Sequence, residues 1–264
     1  MTPAFIYGTA WKEAETERLV RLALESGFRA IDTANQRKHY DEAAVGAALT
    51  DRRAGVFVQT KFTYRAGQDH RLPYEEGAPI ATQVAQSFAS SLEHLGTDHV
   101  DSYLLHGPSA RHGFSQLDVD VWRAMEAIQR SGQALAIGVS NVSAEQLQRL
   151  VELANVQPAY VQNRCYASRG WDADVRAVCR ERGIAYQGFS LLTANSRDLV
   201  RPMIDEIMMR LGKSREQIVF RFAMQIGIIP LTGTTSVDHM REDLHAGDFD
   251  LDERDLHTVE HIGL

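Results

Sequence analysis

The sequence predicts an α/β fold, a single-domain (β/α)₈ TIM barrel spanning residues 1–264. Three observations predict it. Short apolar, β-rich runs alternate with amphipathic segments from end to end. There are eight such runs, which suits a barrel of this length. No linker, low-complexity stretch or short-period repeat divides the chain.

The strand-like runs begin near Phe5, Arg29, Val56, Val100, Leu135, Ala159, Ile184 and Ile228. Runs such as Val56-Phe57-Val58 are short and apolar throughout, as expected of parallel strands buried on both faces. Between them, Ile80, Val84, Phe88, Leu92 and Leu95 hold one helix face, and Gly96 follows as a stop signal. Ser143 with Gln146 forms a capping box ahead of Leu147 and Leu150. Gly27, Gly132, Gly183 and Gly227 each stand between a helix and the next strand. A doubly wound open sheet is the competing architecture. It usually carries a G-x-G-x-x-G turn after its first strand, and Gly8-Thr9-Ala10 is not one.

Composition narrows the function. The net charge is −7 and no basic stripe stands out, so nucleic acid is not an expected partner. No stretch is long and apolar enough to suggest a membrane span, and the first residues do not resemble a signal peptide. Two cysteines, Cys165 and Cys179, make no disulfide framework; a reduced, cytoplasmic setting is expected. The chain is expected to be a monomer or a weak homodimer. Only four of its 28 basic residues are lysines: Lys12, Lys38, Lys61 and Lys213.

In a barrel, polar residues at the C-terminal strand ends read as catalytic. Asp32 ends RAID, Lys61 ends VFVQTK, and His106 ends VDSYLLH. A helix cap, a surface lysine and a structural histidine are the plainer readings. Against the second stands the lysine scarcity. A chain that otherwise uses Arg has Lys at position 61, and burial can depress a Lys pKa but not an Arg one. Asp, Lys and His at one mouth make a proton-handling site.

A second set is Ser140-Asn141 and Gln162-Asn163, after the fifth and sixth strands. Paired amide and hydroxyl groups suit a planar carboxamide, which both donates and accepts; loop hydrogen bonding alone is the plainer reading. Phe189 is placed to stack on an aromatic ring or to fill core. The turn LTGTTS at 231–236 offers backbone amides and a helix N-terminus to an anion. A seventeen-residue segment, 63–79, is long for a loop and reads as a wall or lid of the site.

Together these segments resemble the aldo-keto reductase superfamily. The matching stretches are Gly8-Thr9, GFRAIDTA at 27–34, EAAVGAAL at 42–49, QTKF at 59–62, SLEHLGTDHVDSYLLHGP at 91–108, IGVSN at 137–141 and VQN at 161–163. The resemblance implies a TIM barrel that reduces a small carbonyl compound, an aldehyde or ketone, to an alcohol with NADP(H), and with NAD(H) as a second nucleotide. It implies that Asp32, Lys61 and His106 are three members of an Asp-Tyr-Lys-His tetrad. Gly8, Thr9, Ser140, Asn141, Gln162, Phe189, Ser190 and Leu192 would meet the cofactor. So would Thr232, Gly233, Thr234, Thr235, His239, Glu242 and Asp243. No metal is expected.

The departures make this a divergent branch with a displaced tetrad tyrosine. The family's Tyr falls five residues after the Asp, where this chain has Arg37. Counting back from Gly46 places His39 there instead, and the one tyrosine in the lengthened segment is Tyr40. Tyr40, His39, or neither, with His106 alone as the acid, are the three open assignments. A nearby Lys61 is expected to lower a phenol's pKa, which favours Tyr40. Gly107 replaces the tryptophan usual after the tetrad His. Gly233 and His239 replace the usual Lys and Arg at the 2′-phosphate, so weak discrimination between NADPH and NADH is expected, with NADPH still somewhat preferred through Thr234, Thr235 and the helix N-terminus. The family's C-terminal loop is missing, so an open site is expected. Two other functions fit the same barrel: a redox-silent isomerase or dehydratase, and a regulatory protein that binds nicotinamide nucleotide without turnover.

Overall fold

A computed structural model describes residues 2–264. Eight parallel strands close into a barrel in sequence order: β1 (Ile6–Gly8), β2 (Ala30–Asp32), β3 (Phe57–Phe62), β4 (Val100–Leu105), β5 (Ala134–Ser140), β6 (Tyr160–Arg164), β7 (Ala185–Phe189) and β8 (Ile228–Thr232). The expected runs all become strands. Closure excludes the open doubly wound sheet, because Ile6 pairs with Leu231 and Tyr7 with Thr232 across the β1–β8 seam.

Each crossover carries a helix. They are α1 (Thr16–Ser26), α2 (Glu42–Leu49), α3 (Ile80–Leu95), α4 (Gln116–Arg130), α5 (Ala144–Leu153) and α6 (Ala173–Arg182). Two helices, α7 (Pro202–Leu211) and α8 (Arg215–Gln225), cross from β7 to β8, and α9 (Val237–Leu244) and α10 (Glu253–Glu260) follow β8. No helix among the described residues is long and apolar enough to cross a membrane.

The main core lies between the outer face of the barrel and the helices. Val84, Phe88 and Leu95 of α3 are buried there, with Ile80 and Leu92 packed against them. Gly96 ends α3 in the left-handed conformation, at φ 63°. The Ser143–Gln146 capping box closes both ways at the start of α5. In α2, a Cβ on Gly46 would lie 2.2 Å from the His94 carbonyl oxygen, so only glycine lets α2 seat against the end of α3. That seating anchors the segment that carries Tyr40.

Inside the barrel, the lower layer is apolar: Ile6, Ala30, Phe57, Leu104, Tyr160 and Leu231. Strand alternation then points Gln59 and Lys61 inward on the same face as Phe57, while Val58 and Phe62 join the outer core. The upper layer is therefore polar, and the site stands on it.

Candidate active site

Asp32 and Lys61 form the floor of the site. The Lys61 ammonium donates to both Asp32 oxygens at 2.7 Å and to the Thr33 carbonyl at 2.8 Å. Both side chains are buried. Asp32 also accepts from Gln59 at 2.7 Å and Gln162 at 2.9 Å, and both amides reach Gln187. Burial pushes the Lys61 pKa below its ordinary value, opposed by the negative charges of Asp32 and Glu42. The residues that the sequence places on strands β2, β3 and β6 thus share one hydrogen-bonded layer.

Above this floor lie Tyr40 and His106. The Lys61 nitrogen sits 5.3 Å from the centre of the Tyr40 ring. The Tyr40 and His106 rings meet edge to face, with centres 6.0 Å apart. A turn places them: the amides of His39 and Tyr40 both bond to the Gln36 carbonyl at 3.0 Å. His39 lines the same cleft, but its ring is stacked on Trp11 at 3.6 Å. Arg37 is exposed and does not line the cleft.

The electrostatics differ from the expectation in one respect. Burial, and then the Asp32 charge, raise the Tyr40 phenol well above its ordinary pKa. The cation does not lower it, because Asp32 neutralises Lys61 and, with Thr33, takes all three of its donors. Burial pushes the His106 imidazole down to about 3, with Lys61 and His39 adding to the effect. His106 is therefore neutral, and Thr63 Oγ1 engages its Nδ1 at 2.7 Å.

A cleft of about 730 Å³ leads away from these groups across the mouth of the barrel. Ser140, Asn141 and Gln162 line it beside His106. Ser140 Oγ donates to the Gln162 carbonyl at 2.6 Å. Asn141 takes a left-handed backbone (φ 53°), which lets its Nδ2 reach the His106 carbonyl at 2.8 Å and Ser140 Oγ at 3.1 Å. Both side-chain NH₂ groups, of Asn141 and Gln162, are committed to protein partners. What remains toward the cleft is two amide oxygens, Asn141 Oδ1 and Gln162 Oε1. That donor-poor arrangement suits a ligand NH₂, such as a carboxamide.

Phe189, Ser190 and Leu192 line the middle of the cleft; Gly8, Thr232, Gly233, Thr234, His239 and Asp243 line its far side. Thr232 donates to the buried Asp243 carboxyl at 2.7 Å, and burial raises that group to about 6. Three expected residues are not on the cleft. Thr9 is buried and bonds to the Asp32 carbonyl at 2.9 Å, while Thr235 and Glu242 face solvent.

The segment 63–79 is not a wall of the site, because none of its residues lines the cleft. It packs outside, tied by Tyr74 to the Thr63 carbonyl at 3.0 Å, Gln68 to the Asn35 carbonyl at 2.7 Å and Gln36 to the Gly67 carbonyl at 2.7 Å. It buttresses the Tyr40 segment and, through Thr63, His106.

The cleft also contains Trp11, Lys12, Gln36, Arg164 and Glu216, which the motifs did not mark. Lys12 Nζ donates to the Gly233 carbonyl, crossing the β1–β8 seam. The scarcity of lysine was the signal that could have found it. Phe189, the amide oxygens, the Thr-rich turn and Lys12 together fit a nicotinamide dinucleotide: a stacking face, carboxamide acceptors and phosphate donors in one cleft.

The family model for the "Aldo/keto reductase family" matches residues 5–263. A protein described as "Aldo-keto reductase" from Mycolicibacterium vanbaalenii is 31% identical over 90% of this chain and 80% of its own. An aldo/keto reductase of Brucella melitensis superposes with a TM-score of 0.83 at 28% identity, covering 98% of this chain and 95% of that one. An aldo-keto reductase solved in complex with NADPH superposes with a TM-score of 0.83 at 25% identity, covering 100% and 85%. The chain therefore belongs to the aldo/keto reductase family of NAD(P)H-dependent oxidoreductases.

Proposed function

We propose that this protein reduces small aldehydes or ketones to alcohols with NADP(H), accepting NAD(H) as a second nucleotide. One observation carries the reading. A buried Asp32–Lys61 pair lies under Tyr40 and His106 at the head of a cleft shaped for a dinucleotide.

A bound reduced nicotinamide supplies a hydride to the carbonyl carbon. Asn141 Oδ1 and Gln162 Oε1 would accept from its carboxamide, Phe189 would offer a stacking face, and Thr234 with the α9 N-terminus would meet phosphate. His106, neutral and held at Nδ1 by Thr63, offers its other ring nitrogen to the carbonyl oxygen. That contact polarises the carbonyl and fixes its distance from Tyr40. Tyr40 gives its phenolic proton to the oxygen as negative charge develops there. Its high ground-state pKa keeps the proton in place until the charge appears. The buried Asp32–Lys61 pair underlies the ring, with the Lys61 nitrogen 5.3 Å from its centre, and Asp32 holds Lys61 in place.

The test is titration with NADPH and NADH, followed by turnover on a panel of aldehydes and diketones. Tight binding with reduction is the expected result. Binding without turnover points to a regulatory protein. No nucleotide binding points to a redox-silent isomerase or dehydratase.

A further inference from the structure

A second cavity of about 550 Å³ lies beside the cleft, between the first turns of α5 and α6 and the loop that follows β4. Asn141 and Arg164 line both cavities, so the two adjoin at the active site. Three arginines surround the second one: Arg111, Arg164 and Arg169.

Many arginines of this chain pair with carboxylates: Arg123 and Arg130 share Glu126, and Arg53 pairs with Asp101. Among the described residues, the guanidinium groups of Arg111, Arg164 and Arg169 have no hydrogen-bond or ion-pair partner. Two of them lie over aromatic rings, Arg164 over Phe189 at 5.5 Å and Arg169 over Tyr166 at 5.4 Å. A guanidinium over a ring face keeps its N–H groups available to a forked acceptor. Arg164 is paired in register with Phe189, so its side chain shares the face that looks into the mouth.

The loop that carries Arg111 is latched in place. Gln146 of α5 donates to the Ala110 carbonyl at 3.1 Å and the Gly113 carbonyl at 2.8 Å. Two carboxylates face the same space, Asp172 and Asp174. Asp172 is occupied, accepting from Asn163 and Tyr186 at 2.8 Å each. Three arginines against two carboxylates leave the cavity one positive charge in excess, next to the head of the cleft, in a chain whose net charge is −7.

We propose that this cavity is an oxyanion subsite that takes a carboxylate or phosphate carried by the carbonyl substrate. The inference rests on the carbonyl-reductase reading and narrows it to substrates with an anionic end. It adds no step to the reaction; it orients the carbonyl toward Tyr40 and His106.

The test compares 4-formylbenzoate with its methyl ester, which has the same aldehyde and no charge. Wild-type protein should favour the anion in kcat/KM by about tenfold or more, the scale of one or two charge-assisted hydrogen bonds. Arg111→Gln/Arg169→Gln touches neither the cofactor cleft nor the acid. It should remove most of that preference by raising KM for the anion, and leave the ester unchanged. Inorganic phosphate should compete with 4-formylbenzoate and be lost with the same two arginines. A wild-type preference near one, or a preference that survives the double variant, overturns the proposal. Phosphate that binds without competing marks a separate anion site and also overturns it. If neither aldehyde is reduced, the carbonyl-reductase reading fails. Calorimetry with terephthalate still decides the subsite: binding that the double variant loses supports it, and no binding to wild type ends it.

Discussion

At the scale of single residues, Lys61 carries both stability and chemistry. It is buried, and its three donors go to Asp32 and Thr33. Lys61→Met should lower kcat by on the order of 10²–10⁴. It should also cost roughly 3–5 kcal/mol of stability, because it leaves Asp32 buried without its cation. The double change Lys61→Met/Asp32→Asn should recover most of the stability and none of the rate. Thermal melts beside steady-state kinetics check this; a Lys61→Met variant with near-normal kcat would refute the assignment. Tyr40 and His39 separate in the same way. Tyr40 stands over Lys61 and against His106, whereas His39 stacks on Trp11. Tyr40→Phe should therefore cut kcat by about 10² or more with little change in nucleotide affinity, and His39→Gln should be milder. If Tyr40→Phe is silent while His106→Ala is inactive, the proton comes from His106.

At the scale of elements, two carboxylates make opposite contributions. Asp118 in the first turn of α4 is buried and accepts from the amides of Ser109 and Ser115 at 2.7 and 2.8 Å. It also accepts from the Tyr64 hydroxyl at 2.8 Å, so one side chain caps α4 and ties down the loops after β3 and β4. Asp118→Ala should cost roughly 2–4 kcal/mol, as several bonds to a charged acceptor are lost together. Urea unfolding measures it, and a loss under 1 kcal/mol would contradict this anchoring role. Asp243, just before the end of α9, behaves the other way. Burial raises its pKa from 3.8 to about 6, so the folded state binds that proton more tightly than the unfolded chain does. The stability this gives is present below pH 3.8 and is lost as pH rises through about 6. Asp243→Asn keeps an acceptor for Thr232 and removes the buried charge. It should raise the unfolding free energy by about 2–3 kcal/mol at pH 8 and change little near pH 4. An equal effect at both values would show that charge is not the cause. Neither role was visible in the sequence, where Asp118 carries no mark and Asp243 stands only as an expected cofactor contact; the packing around them shows the rest.

At the scale of the whole molecule, the barrel was legible because parallel strands buried on both faces leave short apolar runs, and all eight starts were readable. The tetrad floor was legible because Asp32 and Lys61 end such runs. Two things were not. The segment 63–79 looked like a wall from its length alone, but its bonds to Asn35, Thr63 and Gln36 turn it outward. The charge of the cleft was only partly visible, because motif reading follows one loop at a time, whereas the cleft draws on loops distant in sequence. Gly233 has no side chain, and from that turn alone the phosphate end of the cleft lacks a fixed cation. Across the β1–β8 seam, however, Lys12 Nζ lies 3.4 Å from where a Gly233 Cβ would stand. It has no carboxylate partner among the described residues, and only one of its donors is given to the Gly233 carbonyl. We infer that Lys12 supplies, from another loop, the cation that this turn lacks, and that it adds to the slight NADPH preference expected from the sequence. Lys12→Met should raise the Kd of NADPH by about tenfold or more and leave that of NADH within about threefold, since one charge-assisted phosphate contact is lost. Adding Gly233→Lys to Lys12→Met should restore it, because the Gly233 Cβ site has no neighbour nearer than 3.4 Å and that neighbour is Lys12 itself. Fluorescence titration of both nucleotides reads the ratio directly. Equal losses for NADPH and NADH would place Lys12 on the pyrophosphate instead, and no loss for either would leave the seam lysine a purely structural strap.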